Sequence, residues 1–172
     1  MGAVFDITTQ EVASFDGAFY RFTTIDGPQR LVRFSDTGRG EAGRSGRFWL
    51  YGSELIEILG QARSEKGLLK EAHQRWAVSD DWGDMGLVWL MNIKPGQSVR
   101  AAWGRAKFQP KISAAGQEAG KRQTRRSYAG ESLQLIIPVR DTDGREDPFL
   151  VSMIRGPVTT EKLMTAPSRF LA

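Results

Sequence analysis

The chain has 172 residues, 40 % of them hydrophobic and 26 % charged, the composition of one globular domain with enough apolar material for its own core. It carries no Cys and a single His, His73, which excludes disulfides, thiolate metal sites, cysteine nucleophiles and multi-histidine metal centres. The formal charge of +4 and a pI near 9.6 favour an anionic partner: a nucleic acid, a phosphorylated cofactor or an acidic protein.

Residues 1–17 carry weak signals and are expected to form an N-terminal arm, with residues 18–172 as the single domain. Met1–Glu11 lacks the basic-then-apolar layout of a secretory leader. No run reaches the ~20 apolar residues of a membrane span. Ala18–Ile25 is aromatic and β-branched, and Gln29–Ser35 alternates apolar with polar. The Asp26-Gly27-Pro28 break between them predicts a hairpin. Asp36–Gly46, rich in Gly and carrying Arg39 and Arg44, is expected to be a flexible loop with anion-binding potential. Arg47–Tyr51 reads as a short aromatic strand. Ser53 can then cap a helix with Leu55, Ile56, Ile58, Leu59 and Ala62 on one face. After Gly67, a second stripe runs through Leu68, Leu69, Ala72 and Trp76, and His73 beside it reads as structural. Asp80, Asp81 and Asp84 lack calcium-loop spacing, so no metal is expected there.

The second half is β in character. Gly86–Ile93 is an apolar run suited to a buried strand, and Lys94–Gln97 is a turn. Ser98–Trp103 and Arg105–Gln109 read as short strands around Gly104. Pro110–Arg126 reads as a mobile basic loop. Glu131–Pro138 is a strong strand, Pro148–Arg155 a returning strand, and Thr159–Ala166 a last short helix. GxxxxGK[ST] does not occur, so a P-loop is excluded. The order predicts an α+β fold: a mixed, mainly antiparallel β core of two small sheets with helices on one side.

Five short motifs, in order, resemble the ADP-ribosyltransferase fold of bacterial toxin domains. They are Phe19-Tyr20-Arg21, the stretch Gly46–Ser53, the strand and turn Leu87–Gly96, Gly104–Gln109, and Gln134–Pro138 preceded by Gly130-Glu131. The resemblance spans residues 18–140. It implies NAD as the substrate, consumed either by mono-ADP-ribosyl transfer to a protein or RNA acceptor or by hydrolysis, with no metal. It assigns Arg21, Tyr20, Phe48, Trp49 and Ser53 to NAD binding, and Gln134 and Glu131 to catalysis. It further implies a secreted or delivered effector acting in the target-cell cytoplasm, held in check by an acidic immunity protein. Two features depart from the family. The Ser-Thr-Ser signature of one branch is missing, with only Ser53 nearby. Ser132 also stands where a Glu-x-Glu pair would place its first carboxylate. Gln134 in the position of the catalytic Glu is similar to the relatives that hydrolyse NAD.

Such residues suit that chemistry. Arg grips a diphosphate through paired, charge-assisted bonds, and aromatic walls take a flat ring. An oxygen near the ribose stabilises the positive charge that develops as nicotinamide leaves. Two other readings compete. One is a basic RNA- or DNA-binding or nuclease toxin domain, suggested by the basic segment Arg100–Arg126 with Trp103 and Phe108 interleaved. The other is a noncatalytic interaction module.

Overall fold

The computed structural model describes residues 6–79, 83–107, 109–110, 113–120, 127–128, 130 and 132–171. Helix α1 (Thr9–Val12) is followed by β1 (Phe15–Asp26), β2 (Gln29–Ser35), a 3-10 segment (Thr37–Ser45) and β3 (Phe48–Tyr51). Helices α2 (Gly52–Gln61) and α3 (Glu65–Arg75) precede β4 (Leu87–Ile93), β5 (Ser98–Ala106) and β6 (Gln109–Pro110). Then come α4 (Ala114–Glu118), β7 (Ser127–Tyr128), β8 (Leu133–Ile136), α5 (Pro148–Met153), β9 (Ile154–Thr159), α6 (Thr160–Thr165) and α7 (Pro167–Leu171).

The fold is α+β. Its sheet has seven strands, all antiparallel, in the order β1-β5-β8-β3-β2-β4-β9, and β6 pairs with β7 separately. The two small sheets expected from the sequence are therefore halves of one, because β3 bridges β8 on one side and β2 on the other.

The expected hairpin of β1 with β2 does not form. β1 pairs with β5 and β2 with β4, so the two strands end up in opposite halves of the sheet. Together the four strands make one long ribbon bent where Asp26–Gln29 passes Ile93–Ser98. The bend is close-packed: Gly27 N–H donates to Gln97 O at 2.9 Å, and a Cβ on Gly27 would sit 2.0 Å from Lys94 O. Only glycine lets the two backbones touch there.

Bending the ribbon wraps the sheet around a core to which every strand contributes. Ile25, Leu31, Trp49, Trp89, Met91, Val99, Leu135 and Ile154 form one buried cluster, closed by Leu150 and Met153 of α5. The reverse face of β2, β3 and β4 carries Val32, Leu50, Val88 and Leu90. These pack under Leu55 and Ile58 of α2, Leu68 and Ala72 of α3, and Leu163 of α6. Helices thus lie on both faces rather than one. Pro148–Met153, expected as strand, is helical because Asp147 caps it, accepting from Phe149 N–H at 2.8 Å, with Pro148 at the first helical position. Ile56, expected on the buried face of α2, is 52 % exposed.

The N-terminal arm joins the fold. Val12 and Phe15 are buried against Ala102 and Ile136. Arg47 forms an ion pair with Glu11, with Nε and Oε1 2.6 Å apart. Among the described residues no helix is long and apolar enough to cross a membrane.

Candidate functional site

A cavity of about 570 Å³ opens where β2, β3 and β8 lie side by side, walled by the turn that follows α3. Its apolar surface is Phe34, Leu50, Trp76 and Met85, with Phe48 at the rim, 38 % exposed. Phe34 and Trp76 pack with ring centroids 5.3 Å apart. The wall is stitched in place. His73 Nδ1 lies 2.8 Å from Val78 O, a bond that requires the Nδ1–H tautomer. Ser132 N–H donates to Arg75 O at 3.1 Å. Gln134 Nε2 donates to Trp76 O at 2.9 Å. A carbonyl only accepts, so this bond fixes the amide's orientation. Gln134 Oε1 is left as an acceptor with no partner among the described residues.

Arg33, Arg39 and Lys107 also line the cavity, and among the described residues none of them forms an ion pair. The Arg33 side chain takes over where the β2–β3 ladder stops. That ladder pairs only Leu31 with Tyr51 and Val32 with Leu50. Beyond it, Arg33 Nη1 donates to Phe48 O and Nε to Gly43 O, both at 2.9 Å. Nη2 has no acceptor among the described residues. Burial, followed by repulsion from Arg39 and Arg140, pulls the Arg33 guanidinium down to about 10. It remains charged at neutral pH, in surroundings that an incoming anion would relieve.

The carboxylates near the cavity are already engaged. Asp36 Oδ1 accepts from Gly38 N–H at 2.6 Å, and Oδ2 from Asp84 N–H at 3.1 Å. Burial pushes Asp84 up, but bonds from the Thr37 hydroxyl and from the Gly86 and Thr37 N–H groups outweigh it and hold the carboxyl below its usual range. The glycine-rich stretch is therefore a capped 3-10 structure rather than a flexible loop. Arg44 turns away from the cavity to Glu146, at 2.8 Å. Among the described residues no cluster of three metal-donor side chains occurs; Asp80 and Asp81 lie outside them.

Of the residues singled out from the sequence, Phe48 and Gln134 meet at this cavity. The others lie elsewhere. Arg21 is exposed on the edge strand β1, with Trp103 as its cross-strand partner, on the sheet face opposite Gln134. Tyr20, also on β1, packs between Phe15 and Phe22 and does not line the cavity. Trp49 is fully buried in the core and donates Nε1–H to Gly46 O at 2.9 Å. Ser53 is an exposed residue in the first turn of α2 and makes no cap bond; Tyr51 holds the cap position. Glu131 lies outside the described residues. The residue that sequence reasoning passed over is Arg33. Its signal was an Arg at an inward place of an otherwise apolar alternation, where a cation needs a reason to be.

No protein-family model, curated protein or solved structure matches the chain.

The seat of Arg33 depends on Gly46. A Cβ there would fall 1.8 Å from the guanidinium carbon. Gly46→Ala is expected to expel the side chain and lower stability by about 2 kcal/mol, the scale of lost charge-assisted hydrogen bonds. In an Arg33→Ala background the same change should be nearly neutral. Chemical denaturation of the four proteins checks this. An equal cost in both backgrounds would show that Gly46 does not seat Arg33.

Proposed function

We propose that the cavity binds NAD and that the protein cleaves its nicotinamide–ribose bond, passing ADP-ribose to a macromolecular acceptor or to water. The observation that carries this reading is the convergence of three chemically distinct groups from adjacent strands. These are an unneutralised guanidinium on β2, an exposed aromatic ring on β3 and an oriented amide on β8. Arg33, supported by Arg39 and Lys107, takes the diphosphate. Phe48, with Phe34 and Trp76 behind it, faces the flat nicotinamide.

Gln134 Oε1 sits toward the ribose. The C–N bond breaks with its electron pair leaving on nicotinamide, and the amide oxygen stabilises the cationic sugar. Water or an acceptor nucleophile then bonds to the anomeric carbon and loses its proton. The family resemblance supports the reading through Gln134 and Phe48, while the phosphate-binding role passes from Arg21 to Arg33.

The test is incubation of the protein with NAD and chromatographic detection of free nicotinamide. Release is expected. Labelled NAD with cell extract then separates hydrolysis, which leaves free ADP-ribose, from transfer, which labels a macromolecule. No nicotinamide under either condition would refute the proposal.

A further inference from the structure

The opposite face of the sheet carries a second surface. Cross-strand neighbours project to the same face. The register therefore sets Arg21 beside Trp103 and Arg105 beside Leu133, all on the face turned away from Gln134. Farther along the strands this face is covered: Ile25, Val99 and Ala101 are buried with Leu150 and Met153 of α5. The cover ends before Arg21. Arg21 and Arg105 are exposed, Leu133 is 38 % exposed, and Trp103 packs one side on the core while remaining partly open. Tyr20 and Phe22, 36 % and 62 % exposed, alternate with Arg21 and lie on the opposite face, across from Gly104 and Ala102. Neither Arg21 nor Arg105 has an ion-pair partner among the described residues.

We propose that this surface docks single-stranded nucleic acid. Trp103 is the stacking platform, and Arg21 and Arg105 contact the phosphates beside the stacked base. Trp103 and Arg105 are two apart on one strand, hence about 7 Å apart along it, and Arg21 lies directly across from Trp103. The pattern is cation, ring, cation. A single strand repeats those two elements, anionic phosphate and open ring face, whereas an acidic peptide would use the cations and leave the ring wet. A duplex keeps its base faces stacked inside and offers nothing to Trp103. The net charge of +4 acts in the same direction. This surface is separate from the cavity, so the inference does not rest on the NAD reading.

The experiment is fluorescence anisotropy with a labelled single-stranded RNA of about 12 nucleotides, a span suited to a compact single-strand binder, without NAD, across a salt series. Binding should weaken with salt. The Arg21→Ala, Arg105→Ala double variant should lower the salt slope by about 0.7 for each lost phosphate contact. Trp103→Ala should weaken binding about tenfold, the scale of a lost base–aromatic stack, and Trp103→Phe should restore most of it. The double arginine variant changes only exposed side chains, so it is expected to fold, and its NAD consumption should equal that of the wild type. Absence of wild-type binding at low salt would overturn the proposal. So would unchanged binding by the double variant, equal affinity for a duplex of the same sequence, or equally effective competition by polyglutamate.

Discussion

Arg33→Ala is expected to reduce nicotinamide release by about 10²–10³-fold, equivalent to about 3–4 kcal/mol of transition-state stabilisation. Two losses combine. The cavity loses the cation best placed for a diphosphate, and the Phe48 and Gly43 carbonyls lose their donor. The second loss loosens the start of β3, so the Phe48 ring no longer holds its place at the rim. The variant should therefore raise KM and lower kcat together. Arg33→Lys keeps the charge but not the planar fork, so it can serve one carbonyl or one phosphate but not both, and only partial rescue is expected. Turnover must be scaled to folded protein, measured by near-ultraviolet circular dichroism. Wild-type turnover by folded Arg33→Ala would remove this residue from the site.

Gln134→Leu is expected to abolish detectable nicotinamide release, a loss of about 10²–10³ in kcat, with little change in KM. Leucine matches the glutamine in bulk, so the cavity keeps its shape while losing the only feature at issue, an oxygen held by the Nε2–Trp76 bond. An effect in kcat alone marks a group that acts in the transition state; a rise in KM at constant kcat would mark a mere contact. Arg21→Ala, by contrast, should leave NAD consumption intact, since that side chain lies on the far face of the sheet. Equal activity of Gln134→Leu and wild type would end the catalytic assignment.

Much of the architecture was legible because local chemistry and tertiary context agree. The apolar run 87–93, the Lys94–Gln97 turn and the helical stripes through Leu55 and Leu68 all form as their patterns require. Pairing was not legible. A DG turn between two strands says hairpin, but Gly27 packs against Lys94 across the chain and sends β2 to β4. No local pattern contains that contact.

The site was half legible for a similar reason. Gln134 and Phe48 carried family-like neighbours. Arg33 carried none, and its role emerges only where the β2–β3 ladder stops and leaves carbonyls for a guanidinium to take. Arg21 misled because alternation along a strand names two faces without saying which one meets the cavity.

The rungs of the sheet are unevenly distributed. β1 and β5 pair over seven consecutive residues, Tyr20–Asp26, and β2 and β4 over seven, Gln29–Ser35. The seam through β3 has two pairs on each side. The long ribbon has the rungs to zip early, while β3 and β8, brought together from residues 48–51 and 133–136, close the sheet between its arms. Closing that gap costs loop entropy that only the final core contacts repay. The cavity lies across this seam. A chain with its ribbon formed but β3 undocked would keep its two longest ladders and lack the cavity. The integrity of the cavity thus rests on the two-pair ladders on either side of β3, the shortest in the seven-stranded sheet.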